Sequence, residues 1–361
     1  MNELVSTYLF ALIISFLVAV ISTPIISMFA KKIGALDKPN SRKVHKKALP
    51  RLGGLSIIFG TLSGYFYLTP YSVYLPSIFI GALIIITVGI VDDTYSLAPI
   101  YKLTGQTLAA LLVVTAGLKI EFITLPLYGE IHFGVFSYIF TILWIVSITN
   151  TINLIDGLDG LAAGVSIIAL TSILIMAILN NQLVIIALSV IIIGSTLGFL
   201  IFNFYPAKIF MGDTGSMFLG FSISIISMMG LLKSVTLLSF VIPIIILAVP
   251  IFDTFFAIIR RILNKQKISA PDKSHLHHRF LAMGFGHRSS VLIIYLYSTF
   301  FGVAAILFST ATLWVCYTII VISLLLIQFT AEFVGLIGER KPLITVVRKI
   351  ILDVTQGVKS N

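Results

Sequence analysis

The sequence predicts an all-α protein, a polytopic membrane bundle of about eleven transmembrane helices that forms a single domain over residues 1–361. Hydrophobic residues make up 58% of the chain and charged residues only 11%, and the mean hydropathy is +1.10. A soluble domain usually has about 25% charged residues. The apolar runs are about 20 residues long, which is the length that an α-helix needs to cross hydrocarbon. Strands of a β-barrel would instead alternate over about ten residues.

Polar interruptions separate eleven apolar segments, which we interpret as the spans. The first segment lacks a basic leader and a small-residue cleavage site, so we expect a span there and not a signal peptide. Cys316 is the only cysteine, which excludes an internal disulfide and a metal site with several thiolates. The segments are 5–29, 53–69, 75–91, 101–118, 134–150, 161–180, 183–204, 214–231, 235–258, 289–310 and 312–336.

The distribution of positive charge predicts the orientation of the bundle. If the spans alternate, 22 of the 24 lysines and arginines lie on one side, and only Lys119 and Lys233 lie on the other. The positive-inside rule then places the N-terminus outside and the C-terminus in the cytoplasm. Basic loops that stay on the cytoplasmic side account for the net charge of +10, so no nucleic-acid partner is needed to explain it. The predicted cytoplasmic loops are about 30–52, 92–100, 150–160, 205–213 and 259–288.

Five aspartates from three loops fall on the predicted cytoplasmic side, next to apolar segments. Carboxylates so close to hydrocarbon are costly, and they mark functional sites. A loop that only caps a helix would need one Asp or Asn, whereas the stretch 150–160 has two of each. Carboxylates that repel one another need a cation, and hard oxygen ligands favour Mg²⁺, with Mn²⁺ as the alternative. The five are Asp92, Asp93, Asp156, Asp159 and Asp213.

Other features predict partners for these acids. The segment His275-Leu-His277-His278-Arg279 suits either zinc or a phosphate, and we favour phosphate because no cysteine is near and the acids lie elsewhere. The free N–H groups of a helix that begins near Gly212 would also favour a phosphate. Pro243 and Pro250 predict a bent ninth helix that opens a lateral groove to lipid. Residues 119–134 alternate loosely and predict a short hairpin.

A divalent metal, a cationic rim and a lipid-facing groove indicate phosphoryl transfer between a membrane lipid and a cytoplasmic donor. A phosphate monoester has its second pKa near 6, so it is mostly dianionic at pH 7 and hardly needs a base. The remaining difficulty is to bring two anions together. The competing class is an ion or solute transporter, which would bury its carboxylates in the middle of spans. A lipid-binding scaffold with a degenerate site is a third alternative.

Four motifs stand out, namely Asp92-Asp93, Asn150-x-x-Asn153-x-x-Asp156-Gly-x-Asp159, Phe210-x-Gly-Asp213-x-Gly-Ser and His275-x-His-His-Arg279. Together, and over nearly the whole chain, they closely resemble the polyprenyl-phosphate N-acetylhexosamine-1-phosphate transferases. The likeness is closest to the TagO/WecA branch, and the MraY branch, which takes UDP-MurNAc-pentapeptide, is the alternative. It implies transfer of GlcNAc-1-phosphate from UDP-GlcNAc to undecaprenyl phosphate with release of UMP.

The resemblance also implies the setting of the reaction. It places the enzyme in the plasma membrane of a bacterium, with the site facing the cytoplasm. It implies a homodimer and the first membrane step of wall teichoic acid or a related cell-envelope polysaccharide. We expect direct attack of the lipid phosphate on the β-phosphorus, with a phospho-enzyme as the competing route.

Residue roles follow from the same resemblance. Asp213 and Asp93 are expected to bind the metal, and Asp92 to position or deprotonate the lipid phosphate. Asp93, Asp156 and Asp159 complete the expected catalytic group. One departure is that MraY has Thr-Met-Gly-Gly where this chain has Arg51-Leu-Gly-Gly. The expected substrate-binding residues are Lys46, Asn150, Asn153, Asn203, Phe210, His275, His277, His278 and Arg279.

Overall fold

A computed structural model describes residues 2–37, 48–125, 129–231, 240–267, 274–336 and 345. These residues form mostly helices, together with two short antiparallel hairpins, so the predicted helical architecture is confirmed. The hairpins are β1 (Leu36–Asp37) with β2 (Leu49–Pro50), and β3 (Phe122–Leu125) with β4 (Gly129–His132). The helices are α1 (Asn2–Ile33), α2 (Gly54–Leu68), α3 (Leu75–Tyr95), α4 (Pro99–Thr115), α5 (Phe136–Ile155), α6 (Leu161–Leu179), α7 (Leu183–Asn203), α8 (Gly212–Leu231), α9 (Val241–Ile246), α10 (Ala248–Leu263), α11 (Leu276–Ala282), α12 (His287–Thr310) and α13 (Leu313–Val334).

Seven helices in the described part of the chain are long and apolar enough to cross a membrane, namely α1, α3, α5, α6, α7, α12 and α13. Helix α2 is also apolar but has only 15 residues. Helices overlap all eleven predicted segments. The chain is therefore a multi-pass helical membrane protein, while the number of spans and their orientation stay predictions.

The ninth predicted segment differs from a single helix. Helix α9 ends at Ile246 and α10 begins at Ala248, and Leu247 between them leaves the helical conformation (φ −97°, ψ 19°). Pro250 has no N–H to donate to the carbonyl of Ile246, so the helix cannot continue regularly. The predicted bend is confirmed, and so is the hairpin in residues 119–134. Helix α11, inside the basic loop, was not predicted.

Helix α8 lies at the centre of the bundle and packs against α2, α3, α5 and α6. Two glycines allow its first turn to be approached closely. A Cβ on Gly89 of α3 would lie 2.5 Å from Thr214 Cα, and a Cβ on Gly54 of α2 would lie 2.1 Å from Gly215 N. Small residues permit backbones to meet in this way. The close approach brings the acidic end of α3 to the acidic start of α8.

A groove of about 1200 Å³ runs beside the bent helix, between α5 and the pair α9 and α10. Phe140, Leu143 and Phe255 line it and are 47%, 56% and 50% exposed, so the groove opens on the outer surface of the bundle. Lys102 and His277 line it among polar neighbours. The structure thus contains a lateral groove beside the bend, and its opening to lipid stays a prediction.

Candidate active site

The acids at the end of α3 and the start of α8 meet around one lysine. Lys102 Nζ lies 2.5 Å from Asp213 Oδ2 and 3.1 Å from Asp92 Oδ2. Asp92 Oδ1 accepts a hydrogen bond from the N–H of Leu97 at 2.8 Å. From the sequence, Lys102 is expected only among the positive charges on the predicted cytoplasmic side, and not among the site residues. The available signal was that it is the single charged residue of α4.

Asp93 accepts three hydrogen bonds from the first turn of α8. The N–H groups of Asp213 and Thr214 donate to it at 2.9 and 3.0 Å, and Thr214 Oγ1 donates at 2.7 Å. A carboxylate there also complements the helix dipole. The hypothesis that these two N–H groups are free to bind a phosphate is therefore wrong. The metal and catalytic roles of Asp93 stay predictions, with few of its lone pairs left free.

Arg51, where the chain departs from the MraY pattern, also belongs to this cluster. Its Nε lies 3.7 Å from Asp93 Oδ1, and its Nη2 lies 4.0 Å from Asp213 Oδ1. Two backbone hydrogen bonds hold the loop in place, from Phe210 N to Pro50 O and from Gly53 N to Phe210 O. Phe210 is half-buried beside the site, and its stacking on a nucleotide base stays a prediction.

The amides of the motif that ends α5 connect neighbouring helices. Asn150 and Gln106 of α4 donate to each other, at 2.5 and 3.3 Å, and Gln106 was not predicted. Asn153 Nδ2 donates to Ser216 Oγ on α8 at 2.8 Å. Desolvation, and then the negative charges of the α3–α8 cluster, raise the pKa of Asp156 to about 8. Asp156 therefore belongs to the same electrostatic site.

Asp159 and Asn203 hold two loops together. Asp159 Oδ2 accepts a hydrogen bond from the N–H of Ala207 at 2.9 Å. Asn203 Oδ1 accepts from the N–H of Gly160, and its Nδ2 donates to the carbonyl of Ile209, both at 3.0 Å. Asn203 is only 2% exposed. The structure shows both residues in supporting contacts, and their direct roles with substrate stay predictions.

Helix α11 presents the histidines at the groove. His275, His277 and His278 all line it. His277 is 2% exposed, and neither of its ring nitrogens has a hydrogen-bond partner within the described residues. Burial, and then the neighbouring His278, lower the pKa of His277 to about 3. Arg279 is half-buried on the same helix.

The structure gives no support to zinc at this segment. Within the ranges described, no group of three or more His, Cys, Asp or Glu residues is arranged to hold a metal ion. His275 is already paired with Asp253, since Nδ1 and Oδ2 are 2.9 Å apart.

Arg261 is a further residue of the candidate site that was not predicted from the sequence. It lines the groove and is 7% exposed, and Nε has no hydrogen-bond partner among the described residues. Its spacing from Thr254 and Ile258, which also line the groove, is that of one helix face. The predicted nucleotide contact Lys46 lies outside the described residues.

The sequence is similar to known proteins of one family. The profile of glycosyl transferase family 4 matches residues 75–231. A Bacillus subtilis strain 168 protein, a probable undecaprenyl-phosphate N-acetylglucosaminyl 1-phosphate transferase, is 53% identical over 344 residues, covering 94% of this chain and 96% of its own. A decaprenyl-phosphate N-acetylglucosaminephosphotransferase of Mycobacterium leprae is 34% identical over 320 residues, covering 80% of each chain.

A relative of the other branch is also similar to this chain. The phospho-N-acetylmuramoyl-pentapeptide-transferase of Halalkalibacterium halodurans is 34% identical over 320 residues, covering 82% of this chain and 96% of its own. The resemblance inferred from the four motifs is confirmed by these matches. The chain belongs to glycosyl transferase family 4, among the polyprenyl-phosphate N-acetylhexosamine-1-phosphate transferases.

Proposed function

We propose that this enzyme transfers GlcNAc-1-phosphate from UDP-GlcNAc to undecaprenyl phosphate, releasing UMP and forming undecaprenyl-diphospho-GlcNAc. One observation carries the proposal. Lys102, which joins Asp92 and Asp213, also lines the groove that opens on the outer surface of the bundle. A lipid phosphate and a water-soluble donor can therefore meet there. The names of the relatives support GlcNAc as the sugar and a polyprenyl phosphate as the acceptor.

The proposal includes the membrane arrangement. Eleven spans, with α9 and α10 as one broken span, place the N-terminus outside and the site at the cytoplasmic face of a bacterial plasma membrane. The excess of lysine and arginine on one side supports this orientation. A homodimer and a place in wall teichoic acid or related polysaccharide synthesis belong to the same proposal.

Mg²⁺ is the proposed cofactor, with Mn²⁺ as the alternative. Mg²⁺ is usually bound by one or two carboxylates together with water and substrate phosphates. Asp213 and Asp92 fit this requirement, since their oxygens already share one cation, Lys102. Asp93 fits less well because it accepts three hydrogen bonds from α8. A bound Mg²⁺ would neutralise charge on the two phosphate groups that react.

The chain's own residues position the reactants. Lys102 and Arg51 reduce the repulsion between substrate phosphates, and Asp92 orients the lipid phosphate. The dianionic lipid phosphate attacks the β-phosphorus of UDP-GlcNAc. The bond between that phosphorus and the bridging oxygen of UMP breaks, and UMP leaves. His277, whose buried ring nitrogens have no hydrogen-bond partner in the described part of the chain, is proposed to contact the diphosphate or the sugar. No proton transfer is needed in this step.

Release of UMP by the purified protein tests the proposal. The protein in detergent receives undecaprenyl phosphate, Mg²⁺ and either UDP-GlcNAc or UDP-MurNAc-pentapeptide, with and without EDTA. EDTA-sensitive UMP from UDP-GlcNAc alone is expected. Release from the pentapeptide donor would move the protein to the other branch. No release from either donor, combined with ion or solute flux in sealed vesicles, would favour a transporter.

A further inference from the structure

Asp253 is a buried carboxylate that the proposed mechanism does not use. It lies on α10 and is 4% exposed. Its Oδ2 is 2.9 Å from His275 Nδ1, and its Oδ1 accepts the N–H of Leu276, the first residue of α11, at 2.7 Å. An ionised carboxylate can only accept hydrogen bonds. His275 must therefore donate from Nδ1, which leaves Nε2 available to a substrate.

The position of Asp253 on α10 connects the groove to the histidines. Ile251, Thr254, Phe255 and Ile258 line the groove from one face of this helix. At about 100° per residue, Asp253 falls on the other side of the helix from them. There it meets the start of α11. Helix α10 thus forms one wall of the groove. Through Asp253 it also holds the start of α11, where His275 lines the same groove.

We infer that Asp253 is a positioning residue for the reaction, which holds His275 in the Nδ1–H tautomer and fixes the start of α11. This inference rests on the proposed function, because His275 is one of the residues expected to bind substrate in that reaction. In the Nδ1–H tautomer Nε2 carries a lone pair, so His275 can accept a hydrogen bond there from a donor group of UDP-GlcNAc. A carboxylate satisfies both donors at once, and this is the chemical reason for an acid at this position.

The variant Asp253→Asn separates positioning from simple packing because it keeps the size of the side chain. Its single oxygen can still accept the N–H of Leu276, and its NH₂ group then faces His275 Nδ1. The ring must accept at Nδ1 and carry its proton on Nε2, so the tautomer reverses. Nε2–H cannot accept from the substrate donor, so we expect the KM for UDP-GlcNAc to rise about tenfold, as the loss of one hydrogen bond predicts, while the KM for undecaprenyl phosphate is unchanged.

Two further variants are needed, Asp253→Glu as a rescue and Glu332→Gln as a control. Asp253→Glu keeps an acceptor for both donors, and we expect it to restore most of the affinity for UDP-GlcNAc. Glu332 is an equally buried carboxylate on α13, 3% exposed and hydrogen-bonded to Gln328 at 2.7 Å. Its change to glutamine is the matched control and should leave both KM values unchanged.

The tautomer of His275, measured by ¹⁵N NMR, is the readout that does not depend on activity. The wild-type protein should show Nδ1–H, and Asp253→Asn should show Nε2–H. An Nε2–H tautomer in the wild type would overturn the inference, even if the variant does not fold. A variant with a lower kcat and unchanged KM values would also overturn it, since this indicates a loss of folded enzyme only. Absence of UMP release by the wild type would refute the proposed function, and the NMR result would still decide the role of Asp253.

Discussion

Lys102 Nζ lies 2.5 Å from Asp213 Oδ2, so an ammonium group from α4 neutralises the first turn of α8. Removing this charge would leave Asp92 and Asp213 facing each other and the substrate phosphates. We expect Lys102→Met to lower turnover by about 10²-fold, which is typical for the loss of one group that stabilises developing charge. UMP release in detergent measures the effect.

A matched control for that variant is Lys119→Met. Lys119 pairs with Glu121 at 3.4 Å beside the β3–β4 hairpin and is the same residue type with an ion pair outside the site. Its change should leave turnover unchanged. Near wild-type activity of Lys102→Met would show that this lysine only holds the fold together.

Gly157 and His277 are in close contact, and this predicts a second variant. A Cβ at Gly157 would lie 2.2 Å from His277 Nε2, so Gly157→Ala must displace the imidazole or the loop. A misplacement of about 1 Å can cost about 10²-fold in rate, so turnover should fall strongly while the protein still folds. Gly230→Ala is the control, because the nearest atom to its Cβ would be 3.8 Å away. Equal activity of the two variants would contradict the contact.

Neighbouring aspartates should respond differently to the same substitution. Asp93→Asn replaces the acceptor of three hydrogen bonds from α8 by a group with one oxygen. The loss should destabilise the fold by about 1–3 kcal/mol, the usual cost of leaving a buried donor unpaired. Thermal unfolding in detergent should show a lower midpoint. A midpoint equal to that of the wild type would argue against the capping role.

Asp92→Asn should instead affect chemistry. The oxygen that accepts the N–H of Leu97 can be kept, and the pairing with Lys102 is lost. We expect most turnover to disappear while UDP-GlcNAc still binds and the unfolding midpoint changes little. Calorimetric titration with UDP-GlcNAc and the UMP assay together check this. Full activity would refute the assigned role.

His277 should make stability depend on pH in acid. Its pKa is about 3 in the folded protein, against 6.5 for the unperturbed side chain. As the pH falls below 6.5, the unfolded chain gains a proton that the folded chain does not accept until about pH 3. The contribution of His277 to stability is therefore complete above pH 6.5 and is lost progressively toward pH 3.

The measurement is the unfolding midpoint at pH 7, 6 and 5 in EDTA, for the wild type and His277→Asn. Between pH 7 and 5 the wild type should lose more stability than the variant. Identical changes in the two proteins would mean that His277 titrates normally and is accessible to water.

The sequence by itself determined the helices, because each apolar run of about 20 residues is a local property that needs no partner. It also determined the bend between α9 and α10, since a proline removes a hydrogen bond wherever it stands. The four motifs indicated the family, and with it Asp92, Asp156, Asp213 and the histidines as site residues.

Only the tertiary structure decided what the single charges do. Lys102 and Asp213 are 111 residues apart, and Asp93 is 120 residues from the N–H group of Asp213. In a sequence, an isolated Lys102, Arg51 or Arg261 is indistinguishable from a charge that only orients the bundle. Helix packing through glycines sets which charges meet, because only that approach brings the carboxylates, the lysine and the groove together.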